Sequence, residues 1–365
     1  MKERDDQTNG NNGSNERSYS FVCYLISVLS FLASLQSLTL RPLIATEPVS
    51  KDPDDPAIWV HPSEPERSLI LGTDKAAAPQ GGLYVYGLDG KLRQRITGLD
   101  RPNNVDVEYG LAAGQQRIDI AVLTERYQNR LRVFRIEPDG GGLSDISAVD
   151  LAVFQGNRGE QAAPMGIGLY RRKSDGAVFA IISRKTGPRG GYLWEYRLED
   201  DGSGKIRALK VREFGSFSGR GEIEAVAVDD ALGYVYYADE GDGIHKWYAD
   251  PDHPGTDREL AHFGSEGFKA DREGIAIYPR PDGTGYLVCT DQLPGNSEYR
   301  VYRREGRPGN PHDHSELVTV LRGGADSTDG IEITATALGP LFPQGLLVVM
   351  NSKERNFFLY PFPKF

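Results

Sequence analysis

This chain of 365 residues has almost no cysteine, only Cys23 and Cys289. Two cysteines cannot form a disulfide scaffold or a cysteine-cluster zinc site. Cys289 is not followed six residues on by arginine, so it does not sit in a cysteine-phosphatase loop. Histidine is scarce too, at six, and there is no Arg-His-Gly segment of the histidine acid phosphatase kind. The phosphate-cradling GxxxxGK motif and the zinc motif HExxH are both missing. An excess of positive charge is also lacking: 42 Lys+Arg against 52 Asp+Glu leave a net charge of −10. That argues against a general affinity for nucleic acid.

What the chain does have is glycine and proline, 43 and 22 residues. Such a content suits many short strands joined by turns better than a helical protein. Hydrophobic residues make up 39% and charged residues 26%, enough for a sizeable core and unlike a disordered chain. The length suggests two average domains, although all-β barrels and propellers run larger as one unit.

The N-terminus reads as an address. Residues 1–20 are polar, and residues 21–35 form an apolar run, FVCYLISVLSFLASL. That run is short for a membrane span and suits the core of a signal peptide. Its flank is unusual, since Lys2, Arg4 and Arg17 are offset by Glu3, Asp5, Asp6 and Glu16. The reading is export through a segment over residues 1–38, to a secreted or periplasmic destination, with an uncleaved membrane anchor as the alternative. Removing the segment takes Cys23 with it and leaves Cys289 without a disulfide partner.

Over the remaining residues, 39–365, a pattern recurs six times. A polar residue is followed by a small one and then by alternating apolar positions. It starts at Asp55, Asn103, Met165, Glu224, Glu273 and Asp329. The alternation is a strand signal. Each copy is followed by an apolar strand with a polar end, at Lys75, Arg126, Lys185, Glu240, Gln292 and Asn351. A third strand then ends in an aromatic: Tyr86, Phe134, Tyr196, Trp247, Tyr302 and Tyr360. A fourth strand can be read after five copies, for example from Lys91 and from Lys205. The chain nearly stops after Tyr360, and residues about 39–48 can supply the missing strand from the N-terminus. The expected fold is an all-β, six-bladed β-propeller of four-stranded antiparallel blades closed by that N-terminal strand. A pair of β-sandwiches with chance similarity is the alternative.

In a propeller, equivalent positions form rings around one axis. The first ring gathers four carboxylates, with Asp54 and Asp271 beside them. Crowded carboxylates are unfavourable unless protonated or bound to cations. An all-oxygen set suits hard ions, calcium above zinc; singly, each residue also reads as a strand-end cap for backbone amides. The second ring is polarised, with Lys75, Arg126 and Lys185 on one side and Glu240, Gln292 and Asn351 on the other. Calcium on the acidic side and fixed cations opposite would suit a highly charged anion such as phosphate. Singly, each Lys or Arg also reads as a solvated turn residue. His312-Asp313-His314 lies in a Gly/Pro-rich loop and is not taken as a ligand site, and the acidic run Glu199–Asp201 reads as a hairpin turn.

The sequence resembles the β-propeller phytases, calcium-dependent enzymes that hydrolyse myo-inositol hexakisphosphate. The matching segments are DDPAIWVHP (54–62), NNVDVEY (103–109), DREGIAIY (271–278), GTGYLVCTDQ (283–292), STDGIEI (327–333) and LGPLFPQGLLVVMN (338–351). The resemblance implies catalytic calcium ligands at Asp54, Glu224, Glu240, Asp271, Glu273, Gln292 and Asp329. It implies phosphate-binding cations at Lys75, Arg126 and Lys185, with Glu240 beside the substrate. It also implies a structural calcium near Asp55, Asn104, the backbone of Val105, Asp106 and Asn351. Two departures stand out: Met165 replaces a tyrosine that often touches phosphate, and Gly323 replaces an acidic residue of the last blade.

The expected chemistry is metal-assisted hydrolysis of phosphomonoesters of calcium-phytate. Glu224 and Glu240 are catalytic, together with Lys75, Arg126 and Lys185, which stabilise phosphoryl charge. No covalent phospho-enzyme is needed, since no activated Ser, Cys or His is evident. A monomer without a nucleic-acid or lasting membrane partner is expected. The rivals are a six-bladed calcium-dependent lactonase, which would not need three cations in register, and a non-catalytic secreted module binding a sugar phosphate.

Overall fold

The computed structural model describes residues 37–364. Almost all of the targeting segment read from the sequence, residues 1–36, lies outside the described residues. Within them there are six sheets, antiparallel apart from one added edge strand, and no α-helix, only three short 3-10 turns. No helix among the described residues is long and apolar enough to cross a membrane.

Each sheet is one blade, built in chain order from the axis outward. Blade 1 consists of Pro53–Trp59, Leu69–Asp74, Gly82–Gly87 and Leu92–Thr97. Blades 2 to 5 repeat this order with inner strands Pro102–Ala113, Pro164–Arg171, Val226–Asp229 and Ile275–Pro279. Blade 6 has Ile331–Thr334 innermost, then Leu346–Asn351 and Asn356–Pro361. Second strands such as Leu69–Asp74 are buried on both faces because a neighbouring blade covers each side. They therefore read as continuous apolar runs, whereas the outer strand Leu92–Thr97 is polar and largely exposed.

The core lies between the blades. Six apolar clusters each join two neighbours, and one of them joins blade 6 back to blade 1. There Phe342, Phe357 and Leu359 pack against Val49, Ile58, Ile70 and Tyr86. The Phe357 ring lies so close to Gly72 that a Cβ there would come within 2.2 Å of it. The ring is therefore closed by packing as well as by pairing.

Closure by pairing follows the expectation. Ile44–Ala45 pairs antiparallel with Asn356–Pro361, setting Ile44 opposite Leu359 and Ala45 opposite Phe358. Thr46 extends the join: its Oγ1 accepts the Phe357 N–H at 3.0 Å, and its carbonyl accepts from Asn356. One further pairing had no sequence signal. Ser37–Thr39 adds a fifth strand, parallel to Leu317–Arg322, at the edge of blade 5. Residues 37 and 38, assigned from sequence to the targeting segment, thus pair with the propeller.

The N-terminal strands protect two sheet edges. A chain starting at Val49 should melt lower than one starting at Ser37, by about 5 °C or more. Calorimetry of the two truncations checks this, and equal melting temperatures would count against closure by residues 44–46.

Candidate active site

Strand register fixes which residues share a level at the channel mouth. Pro56 lies opposite Gly72, Val105 opposite Leu123, and Ile167 opposite Ile182. In the other blades Val226 faces Tyr237, Ile275 faces Cys289, and Ile331 faces Val349. Two residues before each inner member stand Asp54, Asn103, Met165, Glu224, Glu273 and Asp329. The blade 1 member of the first ring is thus Asp54, not Asp55. Two consecutive aspartates fit the pattern equally well, and the pairing is irregular between Pro53 and Pro56. Three residues beyond each outer partner stand Lys75, Arg126, Lys185, Glu240, Gln292 and Ser352. The second ring therefore contains Ser352 where the sequence suggested Asn351.

Asn351 belongs to a different set. With Asp74, Glu125, Arg184, Asp239 and Asp291 it ends a second strand and is buried. Five of these six hold the segment that enters their own blade. Asp74 accepts the N–H groups of Ser50, Lys51 and Asp52. Glu125 accepts from Asp100, Asp239 from Ser218, and Asp291 from Lys269 and Ala270. The Asn351 side-chain oxygen accepts the Asp326 N–H at 3.0 Å, and its amide donates to Asn356 at 2.9 Å. Arg184 instead donates to the carbonyls of Gly191 and Tyr192.

Below the first ring the inner strands nearly touch. A Cβ on Gly166 would lie 1.9 Å from the Glu224 carbonyl oxygen, and one on Gly274 would lie 2.7 Å from that of Asp329. A Cβ on Gly330 would lie 2.1 Å from Asp55 Oδ1. In blades 3, 5 and 6 the glycine of the repeat is what lets the inner strand accept its neighbour, and so crowds the ring residues.

The crowded groups partly neutralise one another. Lys75 Nζ donates to Asp54 Oδ1 at 2.9 Å and to Asp329 Oδ2 at 2.5 Å. Gln292 donates to the other Asp329 oxygen. Burial alone would lower the Lys75 pKa, but Asp54 and Asp329 outweigh it and hold the ammonium charged. Burial, reinforced by the Asp54 carboxylate, pushes Glu224 up to about 8. Burial raises Asp329 to about 7 against the pull of Lys75, and raises Glu240 to about 7 with help from Asp271. Glu273 rises well above its ordinary value through burial and the charges of Glu224 and Glu240.

Across from these acids, Lys185 pairs with Glu222, a partner that the sequence did not single out. Its pKa is lowered by burial and by the positive Arg126 beside it. Arg126 has no ion-pair partner among the described residues. Glu240 is fixed from both sides: its Oε2 accepts the Glu222 N–H at 2.8 Å, and buried Arg272 donates to its carbonyl at 2.7 Å. Arg272 was also missed. Its only sequence signal was a place inside the DREGIAIY segment.

The ring has polar atoms with unmet bonding capacity. Asp54 Oδ2 and both side-chain polar atoms of Asn103 are buried without a hydrogen-bond partner. Buried polar atoms left unpaired are unfavourable, and oxygen donors of this kind fit a hard cation. Met165 is fully buried at the same level and offers no polar group.

Deeper in a central channel of about 870 Å³ come Asp55, Asn104, Val105 and Asp106. Asp55 Oδ2 accepts the Val105 N–H at 3.0 Å, and Asn104 Oδ1 is buried without a partner. Asp106 accepts from the N–H groups of Val107 and Leu169, and burial pushes it up to about 7. Glu108, Asp230 and Glu332 line the same channel and were not read from sequence. Gly323 packs against Tyr360, whose hydroxyl lies 2.8 Å from where a Cβ would stand. An acidic side chain does not fit there without moving that ring.

His314 is not a ligand in this arrangement. Its Nδ1 lies 2.8 Å from the Arg303 carbonyl and its Nε2 lies 3.1 Å from Lys246. Cys289 is buried, and its thiol is pushed up to about 12, which rules out a thiolate nucleophile at neutral pH.

The arrangement is matched by known sequences. The chain is 32% identical over 314 residues to a 3-phytase of Bacillus subtilis (strain 168), covering 85% of this chain and 78% of that protein. Solved structures of similar shape include BBS1N in complex with ARL6DN, at a TM-score of 0.47 and 11% identity over 87% of this chain and 79% of that one. Another is the Myceliophteria thermophila Cps50 (Swd1) β-propeller domain, at 0.44 and 12%, over 81% and 80%. Such distant likenesses say nothing about activity. The family model for Phytase, by contrast, matches residues 20–356, nearly the whole propeller with its mouth residues, and the chain belongs to the phytase family.

Proposed function

We propose that this chain is a calcium-dependent phytase, releasing phosphate and lower inositol phosphates from myo-inositol hexakisphosphate. The observation that carries this reading is the two-sided mouth. Asp54, Glu224, Glu273 and Asp329 crowd one level, while Lys75, Arg126 and Lys185 occupy one register in three successive blades. Asp54, Glu224, Glu240, Asp271, Glu273, Gln292 and Asp329 would hold the catalytic calcium ions. Asp55, Asn104, the Val105 carbonyl and Asp106 would hold a structural one. Bound there, calcium would act as a Lewis acid toward phosphoryl oxygen and lower the pKa of an attacking water.

The chain's own groups do the rest. Arg126 and Lys185 present cations to the non-bridging oxygens, where negative charge grows in the transition state. Lys75 joins them while holding Asp54 and Asp329 in place. Glu224 and Glu240, whose proton affinity is raised by burial and by other carboxylates, would in their ionised forms take the proton of the attacking water. The segment preceding Ser37 would serve export, and the propeller from Ser37 onward would act as a monomeric enzyme outside the cytoplasm.

The kinetic test is phosphate release from phytate, with calcium and with chelator. Activity that survives exhaustive chelation would remove calcium from the mechanism. Arg126→Ala is the cleanest cation probe, because Arg126 pairs with no buried acid. It should lower kcat/KM for phytate about ten- to hundred-fold, the worth of one charge-assisted contact, with little change in melting temperature. Lys75→Ala should also destabilise the fold, because it leaves buried Asp54 without its partner. Normal phytate kinetics in Arg126→Ala and Lys185→Ala, with turnover of lactones, would favour the lactonase reading.

The raised carboxyl pKa values give a pH signature. Without calcium, the folded protein holds protons on Glu224, Glu240 and Asp329 where the unfolded chain has lost them. The unfolded state then binds fewer protons, so this contribution to stability is present at about pH 4 and is lost as pH rises to about 8. Calcium needs the ionised forms, so its affinity should rise over the same interval. The difference in melting temperature between calcium and chelator should therefore widen from about pH 5.5 to about pH 8. A constant difference would contradict the assignment.

A further inference from the structure

Blade 4 carries a donor set of a different chemistry from the carboxylates of the mouth. His245 on Gly243–Tyr248 and His262 on Ala261–Phe263 face each other directly in the ladder. Their rings stack with centroids 4.7 Å apart. Asp242, in the turn before His245, sets its Oδ2 3.3 Å from His262 Nε2 and 3.7 Å from His245 Nε2. All three donor atoms lie within 4.8 Å of one another. Bonds of about 2.0–2.1 Å to a tetrahedral zinc-class ion place ligand atoms about 3.3 Å apart, a spacing that the two Asp242 contacts nearly match, while the stacked imidazoles must turn their Nε2 atoms toward each other on binding.

Two further observations point to a ligand. Glu259 Oε1 lies 3.1 Å from His245 Nδ1. A carboxylate only accepts, so it holds the proton on Nδ1 and leaves the Nε2 lone pair facing Asp242 and His262. That Nε2 is buried and has no hydrogen-bond partner, on a side chain only 4% exposed. In addition, a Cβ on Gly243 would fall 2.6 Å from His262 Nε2, so glycine leaves the ring its position. Asp242 and His262 are 39% and 37% exposed, which gives an ion a way in and water a fourth position.

We propose that Asp242, His245 and His262 bind one divalent transition-metal ion of the zinc class, with Glu259 fixing the His245 tautomer. Two imidazoles and one carboxylate suit zinc and its neighbours, whereas calcium prefers oxygen throughout. Asp242 lies two residues after Glu240, so the ion would tie the turn bearing Glu240 to the outer strand of its blade.

The test uses the full chain with calcium in excess, to keep the mouth carboxylates occupied. Zinc is titrated calorimetrically, and Co2+ is used as the optical probe. The expected result is one zinc per chain and an intense visible band of tetrahedral Co2+. His262→Ala, a change at an exposed position, should abolish the band and weaken zinc binding by at least about ten-fold, with phytate hydrolysis in calcium unchanged. Glu259→Gln should weaken binding about ten-fold through the loss of tautomer control. Absence of zinc binding by the parent chain would overturn the proposal. So would binding of equal strength in His262→Ala, since that ion would sit elsewhere.

Discussion

In three of the six blades the inner strand can approach its neighbour so closely only because the residue just inside the mouth has no side chain. Gly166 and Gly274 meet a backbone carbonyl of the following blade, and Gly330 meets Asp55, at distances that no Cβ tolerates. The mouth depends on that convergence. It brings Asp54, Glu224, Glu273 and Asp329 to one level, where burial and the neighbouring carboxylates raise the proton affinity of Glu224, Glu273 and Asp329. A larger residue at one of these glycines would push neighbouring strands apart and dilute the charge that gives the site its preference for cations.

Convergence also needs the incoming segments to be held, and this is done by buried side chains rather than by long loops. Asp74, Glu125, Asp239, Asp291 and Asn351 each accept backbone N–H groups from the segment entering their own blade. Each lies immediately before a residue of the second ring. Chemistry and anchoring are therefore adjacent in sequence but separated in space, one side chain buried and the next at the mouth. Buried hydrogen-bonded carboxylates and amides of this kind are well suited to hold one geometry, because leaving either partner unpaired is strongly unfavourable.

The propeller, its three strand phases and its N-terminal closure were legible because they rest on periodicity and on a missing sixth outer strand. Errors arose where identity was locally ambiguous. The choice of Asp55 over Asp54 came from adjacent identical residues at an irregular pairing. Asn351 was taken for a mouth residue because its polar side chain closes an apolar run just as Lys75 closes LGTDK, and only the ladder shows Ser352 at that level. Arg272 and Glu222 act on Glu240 across strand connections, so no spacing announces them. The pairing of His245 with His262 depends on which residues face each other across a hairpin with a long connection, and sequence distance does not encode that. The short parallel strand Ser37–Thr39 follows an apolar segment that masks its own weak pattern.

The join between Ile44–Ala45 and Asn356–Pro361 sets a timetable for the ribosome. Ile44 emerges early, yet its partner Leu359 follows only after five blades and most of the sixth. At roughly 5–20 residues per second that interval is on the order of tens of seconds. Throughout it, Val49, Ile58 and Ile70 lack the Phe342 and Phe357 that later cover them. Closing so long a loop adds little entropy beyond that of a shorter one, so the difficulty is one of waiting. The nascent chain must keep an apolar blade face from other molecules until Asn356–Pro361 arrives, and that strand is what ends its exposure.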